Sequence, residues 1–149
     1  MMIDEVGVPS LVLMENAGRG ASEWMLSRAE VLGLSSGGTA GVLCGGGNNG
    51  GDGYVLARQL VAAGVSAFLI EVGDPLRLSR DAAVNRRICA QLGISMGTWP
   101  LSGAEKGSIS CWVDAVLGAG FKPPLRALER AVLEEVGCLA AGAGTRVVA

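Results

Sequence analysis

Short runs of consecutive apolar residues alternate along this chain with longer stretches in which apolar residues return every third or fourth position. The first rhythm marks strands buried on both faces, and the second marks helices with one buried stripe. Met14, Ala17, Ala21 and Trp24 carry the helical spacing and, with Ser10 after Pro9 as N-cap, predict a helix over 11–28. Beyond the break at Gly37-Gly38, Ala40 to Cys44 is a short apolar run that ends in glycines, as a buried strand does. Val55, Leu56, Leu60 and Val61 predict a helix over 53–63 stopped by Gly64, and the β-formers of 65–72 predict a second strand. Ser79 caps a helix carrying Val84, Ile88 and Leu92 and ended by Gly93; a weaker strand follows over 94–99. Ile109, Cys111 and Val113 lead through Val116 and Leu117 as a fourth strand. A loop containing Lys122-Pro123-Pro124 then delivers the chain to a helix over 125–138, and residues 146–149 begin a fifth strand.

Strands and helices alternating at these lengths predict parallel β-α-β units with right-handed crossovers. The expected fold is α/β, a Rossmann-like three-layer α/β/α arrangement around a mostly parallel sheet. A chain of 149 residues is expected to form a single domain over 1–149. The final strand stops without a cap or turn, so the domain is expected to lack its last segment. In such sheets ligands lie outside the carboxyl ends of the strands, which directs attention to the loops after Cys44 and Val113.

Composition narrows the chemistry. Half the residues are hydrophobic but only 4% are aromatic, so the core is built from Ala, Val, Leu and Ile. Gly contributes 24 residues, about twice its usual share, without the three-residue period of collagen. Twelve Lys and Arg against 14 Asp and Glu give a net charge of -2 and no footprint for nucleic acid or an anionic membrane. No apolar run approaches the roughly 20 residues of a spanning helix, and no basic segment precedes an apolar one at the start, so the chain reads as cytoplasmic. Cys44, Cys89, Cys111 and Cys138 form no C-x-x-C pair, lie in apolar segments and are expected to be buried thiols. With no His in the chain, a zinc site and a His-activated nucleophile are excluded, leaving carboxylates, Lys, Tyr, Cys or water for acid–base work.

The loop after the first strand, GGGNNGGDG over 45–53, contains G-x-G-x-x-G at Gly45, Gly47 and Gly50 between a strand and a helix, which is a dinucleotide fingerprint. Glu71, at the end of the second strand, is placed to bind a ribose hydroxyl, so an NAD-dependent dehydrogenase is one reading. Against it, Asn48, Asn49 and Asp52 crowd the loop with oxygen acceptors. Asp52 would set a negative charge where a pyrophosphate normally meets a helix N-terminus. Such oxygens beside glycines suit a hard cation or a ligand held by hydroxyls and amides, while Asp52 can also serve simply as a helix cap. Further on, Asp114 interrupts an apolar strand, where a carboxylate must be paired, bound to a cation or placed at the strand end. It is the leading catalytic candidate; the alternative is a carboxylate satisfied by backbone N–H groups of the next turn. Gly118-Ala119-Gly120 then lets the backbone approach a ligand closely, and Pro123-Pro124 stiffens the far side.

LVLMENAGR over 11–19, CGGGNNGGDGYVLAR over 44–58, GDP over 73–75 and VDAVLGAG over 113–120 together resemble the N-terminal YjeF domain, the NAD(P)HX epimerase family. The resemblance covers nearly the whole chain in order. It implies an often dimeric Rossmann-like domain that interconverts the R and S hydrates of NADH and NADPH, so that a dehydratase, sometimes fused to it, can repair them. It further implies substrate contacts from Asn48, Asn49, Gly50, Gly51 and Asp52 and from Gly118, Ala119, Gly120, Phe121, Lys122, Pro123 and Pro124. It also implies a potassium ion held by Asn49 and Asp114, with Asp114 sharing in proton transfer. The family's D-x-P-S-G motif, which supplies a further Asp and Ser, does not occur here. A non-catalytic nucleotide-binding or dimerisation module is the principal alternative.

Overall fold

The computed structural model describes residues 7–149. Among them, β1 (Thr39–Cys44), β2 (Ser66–Glu71), β3 (Ser95–Thr98), β4 (Cys111–Ala115) and β5 (Arg146–Val148) form one sheet in the order β3-β2-β1-β4-β5. Every pairing in it is parallel, with Cys44 opposite Glu71 on one side and Ala115 on the other. The helices are α1 (Ser10–Leu26), α2 (Asn48–Ala62), α3 (Arg80–Gln91), the single-turn α4 (Gly103–Gly107) and α5 (Ala127–Ala143). The chain thus has the α/β class and parallel sheet read from its sequence.

Side chains alternate across a strand with period two, and the two faces of this sheet build two cores. Ala40, Val42, Ala67, Leu69, Cys111 and Val113 pack with Met25, Tyr54, Ala57, Leu60 and Cys89 beneath α1, α2 and α3. Leu43, Ile70 and Trp112 pack with Trp99, Leu101 and Ile109 and with Val132 and Val136 of α5. β1 leads through α2 to β2 on one side, and the chain later returns from β3 across the sheet to β4 on the other. The ends of β1 and β4 are therefore the switch point at which loops diverge and leave a crevice.

Several local expectations are corrected. The α1 cap is Pro9, with no side-chain bond, and Ser10 is the first helical residue, its hydroxyl donating to Asp81. The buried stripe of α1 is Met14, Gly18, Ser22 and Met25, and Trp24 is 45% exposed. Gly18 explains the shift: a β-carbon there would lie 2.4 Å from that of Val55, so α1 rides on α2 along its small residues. In α3, Ser79 caps as expected by accepting from the Ala82 amide, yet the inward stripe is Ala82, Asn85 and Cys89, and Leu92 faces outward. Cys138, expected to be buried, is exposed, because α5 turns Val132 and Val136 inward and Cys138 lies off that stripe. Among the described residues, no helix is long and apolar enough to cross a membrane.

Candidate functional site

The glycine segment is itself helical. The predicted start of the second helix at Gly53 moves back to Asn48, with Gly47 at the cap and the Gly51 amide donating to the Gly47 carbonyl at 3.2 Å. Asp52 is thus in the second turn and not a cap. Glycine disfavours helix, so packing must hold this turn. A β-carbon on Gly50 would fall 1.9 Å from the Gly45 carbonyl oxygen, and one on Gly53 would fall 2.9 Å from Ala115 Cβ. The glycines bring the start of α2 against the ends of β1 and β4.

The loop after β4 is tied to this helix. Gly45 N donates to Ala115 O at 3.1 Å, and Asn49 Nδ2 donates to Leu117 O at 2.7 Å. Gly118 lies so near that a β-carbon would be 2.9 Å from Asn49 Cβ. The Phe121 amide donates to Gly118 O at 2.9 Å and turns the loop back over the crevice.

The cleft so formed has a volume of about 840 Å³ and is lined by residues 46–49, Asp52, residues 116–122, Pro124, Arg126 and Glu129. Of the candidates, Asn48, Asn49, Asp52, Gly118, Ala119, Gly120, Phe121, Lys122 and Pro124 share this one surface. Gly50 and Gly51 are buried in helix packing, and Pro123 is exposed outside the lining. Asp114, half-buried at the end of β4, also stands outside it, its Oδ1 accepting from the Val116 amide at 3.0 Å. That is the backbone-satisfied carboxylate weighed as the alternative above, with Oδ2 left over. Arg126 and Glu129 were missed, because charges at the start of an amphipathic helix read as solvated surface.

Burial of Asp52 raises the pKa of its carboxyl. A carboxyl with a raised folded-state pKa contributes stability below its unfolded pKa and loses it as pH rises through the folded value, so ionised Asp52 is a cost at neutral pH. Asp52→Asn is therefore expected to raise the melting temperature at pH 7, with the gain shrinking as pH falls through the carboxylate range. Thermal denaturation followed by circular dichroism at pH 7 and pH 4 measures this; an equal shift at both would contradict it.

Glu71 is not available to a ribose. It is 6% exposed, pairs with Arg86, whose Nη2 donates to Oε2 at 3.2 Å, and accepts from the Tyr54 hydroxyl at 3.3 Å. The acid that a dehydrogenase would present at the end of β2 is thus consumed inside the fold. In the first turn of α5, Glu129 is buried, and the Arg126 guanidinium beside it holds its carboxyl below the usual glutamate range.

Fold and site together define a doubly wound α/β domain whose cleft at the β1/β4 switch point is built from two glycine-rich loops. The model of the family described as YjeF-related protein N-terminus matches residues 10–146, and the chain belongs to that family. It is 36% identical over 137 residues to an NAD(P)H-hydrate epimerase of Rhodopirellula baltica, covering 90% of this chain and 53% of that protein. An NAD(P)H-hydrate epimerase of Lentilactobacillus buchneri is 39% identical over 119 residues, covering 80% and 52%. A bifunctional NAD(P)H-hydrate repair enzyme Nnr of Salinibacter ruber is 36% identical over 143 residues, covering 85% and 26%. The crystal structure of yeast ynu0 superposes with a TM-score of 0.79 at 24% identity over 93% of this chain and 59% of that one, a likeness of fold. The chain spans about half the length of the epimerases it matches.

Proposed function

We propose that this chain is an NAD(P)H-hydrate epimerase domain that interconverts the R and S hydrates of NADH and NADPH. The observation that carries the reading is the joining of the α2 turn to the β4 loop by Asn49 and Leu117 at 2.7 Å, in a family whose relatives bear that name. The substrate's hydroxyl stands on C6 beside the ring nitrogen. Protonation lets it leave as water, and water returning to the other face inverts the centre with no net oxidation. Asp52, the carboxyl on the cleft wall, gives that proton and receives it back, a task within reach of a carboxyl raised by burial. Incubating pure R hydrate with the protein and resolving the epimers by chromatography tests this: S hydrate accumulates faster than in buffer, and an unchanged rate contradicts the reading.

The oxygen donors fit a hard monovalent cation. Asn49 spends its Nδ2 on Leu117 O and keeps Oδ1, and Asp114 spends Oδ1 on the Val116 amide and keeps Oδ2. We assign these two residues to potassium, which would supply positive charge beside the substrate, and place Asp114 in support of the cleft wall. The remaining partners follow from the same reading: a dehydratase consuming the S hydrate, separate or fused as the bifunctional relatives' name suggests, a second copy of the chain as a homodimer, and a cytoplasmic setting.

A further inference from the structure

The lining of the cleft carries four charged side chains, Asp52, Lys122, Arg126 and Glu129. A dinucleotide brings at least two phosphate charges, and only Lys122 and Arg126 oppose them. The two differ in how they are held. Arg126 donates from Nε to Glu129 Oε1 at 2.8 Å and pairs with it again through Nη2, and its backbone amide donates to Oε2 at 3.2 Å. Both oxygens of a carboxylate that is 6% exposed are thus committed to one residue whose own side chain is 79% exposed. An exposed i,i+3 ion pair contributes little to stability, whereas burying the glutamate is costly. Fixing the guanidinium fork at the mouth of the cleft, with Nη1 left to a ligand, gives that cost a purpose.

The direction of the cleft agrees. The end of β2, where a Rossmann domain usually takes the adenosine ribose, is closed by the Glu71, Arg86 and Tyr54 group. The cleft runs instead from the first turn of α2, along the loop after β4, to the first turn of α5. A dinucleotide lying in it meets Arg126.

We propose that Arg126 binds a phosphate of the dinucleotide and that Glu129 is the positioning residue that holds its guanidinium for the purpose. This rests on the epimerase reading and adds the group that recognises the substrate's phosphates. The test is steady-state epimerisation of the R hydrates of NADH and NADPH by the wild type, Arg126→Ala, Arg126→Lys, Glu129→Gln and, as a control on the exposed face of α5, Arg130→Ala. A lost charge-assisted hydrogen bond predicts a KM about tenfold higher for Arg126→Ala, with kcat within twofold. Arg126→Lys, lacking the fork, recovers only part, and Glu129→Gln raises KM to an intermediate value at a temperature where its circular dichroism is native. Arg130→Ala matches the wild type.

A rise confined to the NADPH hydrate assigns the 2′-phosphate, and an equal rise on both hydrates assigns the diphosphate. A KM within twofold of wild type on both hydrates for Arg126→Ala overturns the proposal, and an unchanged KM for Glu129→Gln overturns the positioning role. If the wild type turns over neither hydrate, the epimerase reading itself fails and this inference falls with it.

Discussion

Gly50→Ala is expected to cost the domain at least about 2 kcal/mol, even though alanine favours a helix over glycine by about 1 kcal/mol. The added β-carbon would lie 1.9 Å from the Gly45 carbonyl oxygen, and backbone at the end of β1 cannot rotate away as a side chain can. Either the first turn of α2 unwinds or it lifts from the sheet, and both outcomes open the cleft. For a domain of this length the loss corresponds to a fall in melting temperature of roughly 4–8 °C. Gly51→Ala is the informative contrast. Its β-carbon meets the Cε and Sδ of Met14 at 2.4 Å, a flexible side chain that can move, so its fall is the smaller of the two. Equal melting temperatures for the two variants, measured by circular dichroism, would contradict this account of the glycines.

Asn49→Ala is expected to lower epimerisation about 100-fold, the scale of removing one preorganised polar group from a reacting site. It removes the bond to Leu117 O that fixes the β4 loop and the oxygen assigned to potassium. Its effect on stability is small by comparison, since one exchanged hydrogen bond contributes about 1 kcal/mol. Asn49→Asp separates the two roles, because it keeps an oxygen for the cation but cannot donate to Leu117. Rates at saturating substrate, taken with and without added potassium, measure both variants. A wild-type rate for Asn49→Ala would remove this residue from the site.

Continuous apolar runs located the three central strands, β1, β2 and β4, because β-α-β units bury them on both faces, whereas the edge strands β3 and β5 are largely unburied and were legible only weakly, each from its place after a helix that a glycine ends. What the sequence hid is packing by absence. Gly18 gave no signal within its predicted helix, and Gly50, Gly51 and Gly53 read as part of a ligand-binding glycine loop, yet each marks a place where another element lies too close for a β-carbon. Helix starts and inward stripes therefore shifted, at Asn48 for α2 and toward Gly18 and Ser22 for α1. The two loops of the site were legible because both carry closely spaced glycines at strand ends, with Asn48, Asn49 and Asp52 in the first and Asp114 just ahead of the second. Glu71 misled for the opposite reason: its position after β2 fits a ribose ligand, and only the tertiary contacts with Arg86 and Tyr54 show it to be structural. Arg126 and Glu129 were illegible because a pairing three residues apart on a helix looks the same whether it serves the surface or a cleft.

The most direct measurement supplies the R hydrate of NADH with excess S-specific dehydratase and ATP and follows recovery of NADH absorbance, in potassium and in sodium. Recovery is expected above the spontaneous rate and faster in potassium, lost with Asp52→Asn on the cleft wall and stripped of its potassium dependence with Asp114→Asn. Recovery no faster than without the protein in either salt would contradict the epimerase reading.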